Sequence, residues 1–478
     1  MSRSLLVGPF NRVEGDLEVR LELSDGQVAA ARVTAPMYRG IERLLAGRPP
    51  LDALVIAPRI CGICSVAQSS AAARALGDAM ALAAPANGRI AADLILACEN
   101  AADHLTHFYL FFMPDFAHRD YRERPWHDEA ARRYKAMGGE VAKAASAARL
   151  RFLHVMGILA GKWPHSLALQ PGGITKSIDL GERMRLLGIL NEFRNYLEGQ
   201  TFGDSLERIA ALDSAAALQA WAAEKAPTAG DLRFFLTIAD DLGLSQWGRG
   251  PARFLSFGGP GEAGGQWQDG KPGGLDLAGL REDLEYTWMD GGGLHPAVGV
   301  TEPKADKAEG YSWCKAPRLA GRSFEVGALA RRMVAGHPLI RELVAASAGR
   351  GNVRDRVVAR LLELALLVPA MENWVRLLGG QGAFCHSGDM VKKADGVGLV
   401  EAARGSLGHW LSVDGGRISR YQVVAPTTWN FSPRDAGGNP GPLEEALVGA
   451  PVGPGEDHPL IVQHIVRSFD PCMSCTVH

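Results

Sequence analysis

Two pairs of cysteines are the residues of this chain whose type and spacing most directly indicate chemistry. Cys61 and Cys64 form one C-x-x-C motif, and Cys472 and Cys475 form a second. Four thiolates can complete a single soft-metal site, which binds zinc, iron, nickel or copper(I) in preference to hard cations. The other three cysteines are isolated in the sequence and are expected to be small buried apolar residues: Cys98, Cys314 and Cys385.

The position of the two pairs favours a catalytic metal over the other uses of such motifs. They lie 408 residues apart (472 − 64), so they do not form a local zinc ribbon or finger. The first pair runs into an apolar helical segment, and the second lies close to His478, the final residue. A site that joins both ends of the chain through a large core indicates a buried catalytic centre. From spacing alone, a structural zinc site and a redox-active dithiol pair remain the alternatives.

The segments that must position these cysteines are mainly helical. The stretch over 88–113 is apolar on nearly every face, which indicates a central helix of a bundle. An alanine-rich helix is predicted over 69–84, shortly after the first cysteine pair. Further helical stretches cover 140–161, 180–199, 324–336 and 355–380.

Strands are predicted at the periphery of this bundle. Residues 15–35 alternate apolar and polar side chains around Asp25-Gly26, and 397–430 form a second hairpin around Asp414-Gly415-Gly416. The glycine-rich region 248–300 is expected to form loops and short strands. The predicted fold is therefore mainly α with peripheral β. It is a long-helix bundle core with small antiparallel β elements, in a single domain over 1–478.

Composition and charge exclude several classes of function. Fifty-one basic against 53 acidic residues give a net charge of -2, which offers no electrostatic footprint for nucleic acid. No segment approaches the roughly 18–20 uninterrupted apolar residues of a membrane span. The first residues, MSRSLLVGPFNRVEGD, have too short an apolar part for a secretory signal. A cytoplasmic location without a membrane span is the expectation.

The residues around both cysteine pairs closely resemble the large subunit of nickel–iron hydrogenases. RICGICSVAQSSAAARAL (59–76) and DPCMSCTVH (470–478) are similar to the two cysteine motifs of that family. Further similar segments follow in the family's order along the whole chain: NRVEGD (11–16), MYRGIE (37–42), HFYLFFMPD (107–115), GKWPH followed by PGG (161–173), YSWCKAPR (311–318), EAARGSLGHW (401–410) and VVAPTTWN (423–430).

The resemblance implies a nickel–iron centre that reversibly cleaves dihydrogen into protons and electrons. It assigns Cys61 and Cys472 as terminal nickel ligands, and Cys64 and Cys475 as bridges to an iron that carries one carbonyl and two cyanide ligands. Maturation proteins make these ligands. The chain has no further cysteine set for a cluster, so the electron path is expected in an iron–sulfur small subunit. The expected assembly is a heterodimer, or a dimer of heterodimers.

The resemblance also assigns residues around the metals. Arg404 corresponds to the arginine above the open metal position, and Asp115 to the carboxylate that holds this arginine. Thr427 corresponds to a hydroxyl that donates to a cyanide, and Glu14 to the carboxylate that begins proton transfer. A structural magnesium is expected as well, and its ligands would be the side chains of Glu42 and His478 and the carbonyl of Val423.

Departures from the family pattern indicate a subclass. The usual C-x-x-C-x-x-x-H has Gln68 in place of histidine, A-P-R-G has Ala403, and R-x-E-G-H has Asp16. Ile63 and Phe111 are larger than the usual valine and leucine of the gas channel, which could hinder dioxygen and give oxygen tolerance. Most catalytic members of the family carry a C-terminal extension that is removed on maturation, and the sequence here stops at His478, as a mature form would too. Together with this stop, Gln68 favours the expectation of a chain made without an extension.

These departures resemble the regulatory, dihydrogen-sensing hydrogenases, whose output passes to a signalling partner such as a histidine kinase. The alternative is the mature large subunit of an energy-converting uptake hydrogenase. A metal-free homologue of the kind found in respiratory complexes is disfavoured, because all four cysteines are present.

Overall fold

The computed structural model describes residues 3–380, 382–476 and 478. It is mainly helical with small antiparallel sheets, as predicted. In the described part of the chain, no helix has both the length and the apolarity that crossing a lipid bilayer requires.

The chain begins with a three-stranded antiparallel sheet of order β1-β2-β3. Its strands are β1 (Arg3–Val7), β2 (Glu18–Ser24) and β3 (Gln27–Thr34). The hairpin between β2 and β3 turns at Asp25 and Gly26, both with positive φ, which confirms the prediction for 15–35. Alternate residues of β2 are buried, so this sheet covers one flank of the helical core.

Four helices then lead to the first cysteine pair and across the core. They are α1 (Ile41–Leu45), α2 (Ala53–Ile56), α3 (Ser65–Ala79) and α4 (Ala86–Thr106). A π-helical turn, His107–Phe112, continues α4, so the helix predicted over 88–113 is nearly continuous. Residues on all sides of α4 are buried in its second half, which confirms its central position.

Seven more helices surround α4. They are α5 (His127–Tyr134), α6 (Glu140–Phe152), α7 (His154–Ala160), α8 (Leu180–Tyr196), α9 (Leu206–Ala210), α10 (Ala215–Ala223) and α11 (Asp231–Asp241). The stretch predicted as helical over 140–161 is two helices, because the chain bends at Leu153 between α6 and α7. A two-residue ribbon, β4 (Leu169–Gln170) with β5 (Gly173–Ile174), separates α7 from α8.

The glycine-rich region forms short strands, as predicted. They are β6 (Arg253–Ser256), β7 (Gly265–Gln268), β8 (Lys271–Gly274), β9 (Leu280–Asp283), β10 (Met289–Asp290), β11 (Glu302–Pro303) and β12 (Ala316–Leu319). Three helices follow: α12 (Ala328–Ala335), α13 (Pro338–Ala346) and α14 (Val353–Leu377). The long helix α14 packs along α4, and these two helices form the centre of the bundle.

The predicted hairpin over 397–430 is part of a three-stranded sheet. Its strands are β13 (Ala394–Ala402), β14 (Gly405–Asp414) and β15 (Arg417–Val424), and the turn at Gly415-Gly416 is as predicted. This sheet packs closely on α3, where a Cβ atom at Gly398 would lie 1.9 Å from the carbonyl oxygen of Ala71. Glycine at this position therefore allows the sheet to lie against the helix that follows Cys64.

The two ends of the chain meet beside the core. After α15 (Pro426–Asn430), α16 (Pro442–Leu447) and α17 (Leu460–Ser468), a short 3-10 turn, Met473–Cys475, ends the described helices. The amide of Met473 donates to the carbonyl of Glu14 at 2.7 Å, so the C-terminal turn lies against the N-terminal segment. This contact brings the second cysteine pair into the interior.

Candidate metal centre

The four cysteines of the two C-x-x-C motifs converge on one buried point. Cys61 Sγ lies 3.3 Å from Cys472 Sγ, Cys64 Sγ lies 3.1 Å from Cys475 Sγ, and Cys472 Sγ lies 3.0 Å from Cys475 Sγ. All four sulfur atoms lie within 4.8 Å of one another. Cys64 directly precedes α3, and the second pair lies in the C-terminal turn.

The electrostatics of this cluster favour a bound soft metal. Hydrogen bonds with Cys472 and the other two thiols lower the pKa of Cys61 well below its usual range. Hydrogen bonds with Cys472 and Cys61, together with burial, raise the pKa of Cys64 and of Cys475 well above its usual range. Four adjacent buried thiols therefore do not all ionise without a cation, and a metal that binds sulfur supplies that charge. The donor set suits nickel and iron, and equally zinc.

The isolated cysteines lie outside this cluster. Cys98 and Cys314 are buried, as predicted, whereas Cys385 is exposed, so the prediction for that residue was wrong. Cys385 forms an isolated bridge with Gly173 of β5, and its side chain is exposed.

Arg404 lies in the turn between β13 and β14, with its guanidinium group next to the cysteines. Its Nη1 atom is 2.8 Å from Asp103 Oδ2, although the contact lacks the angle of a directed hydrogen bond. Its Nη2 atom donates to Asp470 Oδ1 at 3.0 Å, and Nε donates to the Asp470 carbonyl at 3.1 Å. Two buried carboxylates therefore hold this buried arginine.

The prediction that Asp115 holds Arg404 was wrong. Asp115 accepts two hydrogen bonds from Arg467 Nη1, at 2.8 and 2.9 Å, and also pairs with Arg12. Asp103 and Asp115 are twelve residues apart (115 − 103), which on a helix is about 18 Å. The carboxylates that contact Arg404 are instead Asp470 and Asp103, and Asp103 lies within α4, about three turns before the position that the motif suggested.

Glu14 and Thr427 lie beside the cysteines. Burial, followed by the negative charge of Cys61, raises the pKa of Glu14 above its usual range, although Arg404 and Arg39 oppose this. The Thr427 hydroxyl oxygen accepts the amide of Cys472 at 3.2 Å, so its own proton is left to donate elsewhere. Both side chains can thus act on a group bound by the sulfur atoms.

Glu42, Val423 and His478 also lie together, next to a lysine that the sequence interpretation missed. His478 Nε2 is 2.6 Å from the Val423 carbonyl oxygen and 3.6 Å from Glu42 Oε1, and His478 Nδ1 is 2.8 Å from the Cys475 carbonyl oxygen. Burial lowers the pKa of His478 to about 4, so the ring is neutral near pH 7.

A neutral imidazole has a single N–H group, so one of the two carbonyl oxygens faces a nitrogen lone pair of His478. A cation between these atoms would remove the repulsion, and the three oxygen and nitrogen donors fit a divalent ion. The Lys315 ammonium contacts Glu42 Oε1 at 2.9 Å and Glu282 Oε1 at 2.6 Å, so two buried carboxylates share one ammonium group, and burial raises the pKa of Glu282 to about 7.

Gln68 is held by a directional hydrogen-bond chain. Its Oε1 atom is 2.8 Å from His409 Nε2, and His409 Nδ1 is 2.7 Å from the Tyr421 hydroxyl. Because Oε1 only accepts, His409 donates through Nε2 and Tyr421 donates to Nδ1. The Gln68 Nε2 atom has no partner in the described part of the chain, and the residue lies one turn after Cys64.

Ile63 and Phe111 occupy different environments. Ile63, between the first two cysteines, is partly buried and packs against the main core. Phe111 lies in the π-helical turn after α4, and its carbonyl accepts from Arg12 Nη1 at 3.2 Å. Their assignment to a gas channel remains a prediction.

The comparison with known proteins identifies the family. Residues 39–119 and 144–478 match the family model for nickel-dependent hydrogenases. The chain belongs to this family. It is the large subunit of a nickel-dependent hydrogenase, an oxidoreductase, and its four-cysteine cluster fits the nickel–iron centre.

Individual relatives cover the whole chain. The periplasmic NiFeSe hydrogenase large subunit of Desulfomicrobium baculatum is 30% identical over an alignment 514 residues long, which covers 99% of this chain and 94% of the relative. The Hydrogenase-2 large chain of Escherichia coli K12 is 28% identical, covering 100% and 97%. The uptake hydrogenase large subunit of Azotobacter chroococcum is 27% identical, covering 100% and 95%.

The hydrogenase fold is shown by a solved structure as well. The structure of H2-activated NiFeSe hydrogenase from Dm. baculatum superposes with a TM-score of 0.85 at 29% identity and covers 100% of both chains. The predicted fold class, a mainly α hydrogenase large subunit, is therefore confirmed.

Several residues that position the hydrogenase site were missed from the sequence. Asp470 lies two residues before Cys472, and Asp103 is a charged residue in the largely apolar second half of α4, so both carried a signal. Glu99, on the same helix, accepts the amides of Val66 and Ala67 at 2.9 Å each. It thereby caps α3 directly after Cys64, where no neighbouring side chain does so.

Proposed function

We propose that the four cysteines hold a nickel–iron centre with one carbonyl and two cyanide ligands on iron, at which dihydrogen is cleaved heterolytically. The observation that carries this proposal is the convergence of four buried sulfur atoms close to the buried guanidinium of Arg404. Cys61 and Cys472 would be terminal ligands of nickel, and Cys64 and Cys475 would bridge to iron. When bound, the centre supplies electron-rich metals that polarise and split dihydrogen.

Arg404 acts as a fixed cation above the sulfur cluster. Its planar guanidinium is restrained by Asp103 and Asp470, so it can orient and polarise a ligand without first reorganising. Thr427 keeps a hydroxyl proton for a cyanide, because its oxygen already accepts from Cys472. Both groups restrict water at the centre through their burial.

Glu14 would carry protons away from the centre. It is partly buried and close to Cys61, and its carbonyl accepts the amide of Met473 in the C-terminal turn. A carboxylate with a raised pKa accepts and releases protons near neutral pH more readily than an exposed one.

Electrons must leave through a partner. In the described part of the chain, the four cysteines are the one group of three or more cysteine, histidine and carboxylate side chains close enough to hold a metal. An iron–sulfur small subunit, as the family's heterodimers imply, would receive the electrons. The loop Gly62–Ile63 is the part of the first cysteine motif that reaches the surface, which makes it a suitable exit.

We also propose a magnesium ion at Glu42, Val423 and His478. The lone pair of His478 that faces a carbonyl oxygen supports a cation there. The ion would anchor the final residue of the chain and hold the second cysteine pair in place through the Cys475 carbonyl.

Within the family, we propose the dihydrogen-sensing class, with output to a histidine kinase and a cytoplasmic location. Gln68 in place of the usual histidine supports this class. The alternative, an uptake hydrogenase, is supported by relatives of that name. Dihydrogen oxidation with a soluble dye should separate them when the heterodimer is assayed beside the Escherichia coli Hydrogenase-2. A sensor should show H/D exchange but turn over at least about tenfold more slowly, whereas equal turnover would favour uptake.

The proposed gas channel has its own test. Replacing Ile63 with Val and Phe111 with Leu removes one methylene and one ring, which should admit dioxygen more readily than before. The double variant should then lose activity during aerobic turnover while the parent keeps it. Rapid inactivation of the parent by air would contradict the narrow-channel proposal.

A further inference from the structure

Arg331, on α12, makes every hydrogen bond that an arginine side chain can donate. Its Nε and one Nη2 proton bind Glu363, at 2.8 and 2.6 Å, and one Nη1 proton binds Glu401 at 2.9 Å. The remaining two protons bind the backbone carbonyls of Ala402 at 2.6 Å and Ala403 at 2.9 Å. A guanidinium has five N–H groups in a rigid fork, so this side chain has no freedom left.

The two carbonyls that Arg331 holds immediately precede Arg404. The backbone after Arg404 packs closely against Gly327. A Cβ atom at Gly405 would lie 2.5 Å from the amide nitrogen of Gly327, and Gly405 has a φ of +128°, so this position requires glycine. Gly327 is the residue before α12, which carries Arg331. The first turn of α12 therefore holds the backbone on both sides of Arg404.

The carboxylates that orient Arg331 are themselves anchored. Glu363, on α14, also accepts from Arg332 and contacts His104 Nε2 at 2.8 Å. Glu401 accepts from the Ser406 hydroxyl and from the Phe257 amide at 2.6 Å. His104 follows Asp103 on α4, so one helix contacts both the network behind Arg404 and the guanidinium itself.

We propose that Arg331 is a positioning residue for the reaction: it fixes the backbone of Ala402 and Ala403 and thereby sets the place of the Arg404 guanidinium above the four cysteines. This inference rests on the proposed function of Arg404. Family members usually have proline before this arginine, which restricts the backbone by itself, whereas this chain has Ala403. Here the carbonyls of the two successive peptides 402–403 and 403–404 are held by Arg331 instead.

The test compares R331K with R318K in the coexpressed heterodimer. Lysine cannot span both carbonyls and both carboxylates, so R331K should lower dihydrogen oxidation about tenfold with the metals retained. R318K is the matched control, because Arg318 is also buried and also holds carbonyls, those of Pro433 and Asn439, far along the chain from Arg404. Its activity should stay within about twofold of the parent.

A double-mutant cycle with R404K distinguishes positioning from general damage. If Arg331 acts through Arg404, adding R331K to R404K should cost less than about twofold. An undiminished tenfold loss in the R404K background would overturn the proposal. If R331K does not yield soluble protein, E401Q takes its place in the same cycle, because it weakens one of the five hydrogen bonds and leaves the packing intact.

Amide hydrogen exchange provides a readout that does not depend on activity. R331K, or E401Q, should speed exchange at residues 403–406 while exchange in α3 stays unchanged. Unchanged exchange at 403–406 would overturn the proposal even if activity falls. If the parent has no dihydrogen activity but the variants still exchange faster than the parent at residues 403–406, the proposed function is contradicted. The positioning of this backbone by Arg331 would then still be supported.

Discussion

At the scale of single residues, the site depends on charges that are fixed before any ligand binds. Arg404 is enclosed by Asp103 and Asp470, and it donates to the backbone as well as to the side chain of Asp470. Because neither carboxylate can turn to water, the guanidinium keeps one orientation towards the sulfur atoms. Preorganisation of this kind is the usual source of electrostatic catalysis.

Arg404→Lys should separate this orientation from charge alone. Lysine keeps the positive charge but loses the planar fork, so turnover should fall at least tenfold, which is about 1.4 kcal/mol of barrier. Nickel and iron contents should be unchanged, since the cysteines are untouched. Turnover equal to that of the parent, measured with a dye acceptor, would show that the planar fork of Arg404 is dispensable.

Glu14→Gln tests the proton exit. Glutamine keeps the size of the side chain but cannot relay a proton, so exchange of deuterium gas with solvent should fall by about two orders of magnitude. Dihydrogen should still bind, which the infrared response of the carbonyl band to the gas reports. Normal exchange in this variant would move the proton path to another group.

At this scale the sequence predicted the four cysteines correctly but not every partner of Arg404. The cysteine motifs are local, because the two cysteines of each pair are only three positions apart along the chain. The choice between Asp103 and Asp115 depends on the rotation of α4 and its π-helical turn, which a motif does not contain. Lys315 lies in a recognised segment, but nothing in that segment shows that Glu42 and Glu282 lie next to it.

At the scale of secondary-structure elements, the first cysteine pair is positioned from outside its own helix. No side chain within the segment caps the amides at the start of α3, and Glu99 of α4 binds two of them. The Trp163 indole also donates to Glu99, at 3.0 Å. The buried side chain of Glu99 therefore connects α3, α4 and the loop after α7. It does so at the start of α3, directly after Cys64.

Glu99→Gln should weaken that connection. The glutamine NH2 group would face one of the three N–H donors, so unfolding free energy should fall by about 1–3 kcal/mol. Nickel content after expression should fall as well, because Cys64 would be less well placed. Exposed Glu192 on α8 is the control, and Glu192→Gln should change neither quantity. Full stability of Glu99→Gln would contradict the capping role.

Asp115 has an element-scale role different from the one predicted, because it joins α17 to the N-terminal segment. Burial alone would raise its pKa, but Arg467, His464 and Arg12 outweigh burial and hold the pKa well below its usual range. A depressed pKa adds stability at any pH above the unfolded value, about 4, and that stability is lost as the pH falls towards the folded value.

Asp115→Asn should therefore destabilise the protein at pH 7 by about 3–5 kcal/mol, since it leaves the buried Arg467 unpaired. The difference in unfolding free energy between variant and parent should shrink as the pH falls below about 4. Asp457→Asn removes an exposed partner of Arg3 and should cost less than about 1 kcal/mol. A pH-independent difference for Asp115→Asn would contradict the ion-pair account.

Elements with strong local signals were predicted well. The hairpin at Asp25-Gly26 and the turn at Gly415-Gly416 follow from residues that tolerate positive φ, and α4 and α14 follow from long apolar runs. The break at Leu153 was missed, because no glycine or proline marks it. The sequence predicted one hairpin over 397–430. The structure has three strands there, because β13 pairs with β14 and completes a sheet that covers α3.

At the scale of the whole molecule, the fold joins segments 408 residues apart (472 − 64) into one site. The N-terminal segment, α3, the β13–β14 turn and the C-terminal turn each contribute side chains to it. The core that holds them runs from β1 to the final cysteine. Loss of the metal should therefore loosen both ends of the chain together, because the same cluster ties them.

The central claim is that Cys61, Cys64, Cys472 and Cys475 bind a nickel–iron centre, and infrared spectroscopy with metal analysis of Cys475→Ser tests it most directly. Serine would remove the sulfur atom that is proposed to bridge nickel and iron, so the carbonyl and cyanide bands and the nickel should be lost. Cys314→Ser, at a buried cysteine outside the cluster, should keep them. Retention of the bands in Cys475→Ser, together with normal dihydrogen oxidation, would contradict the claim.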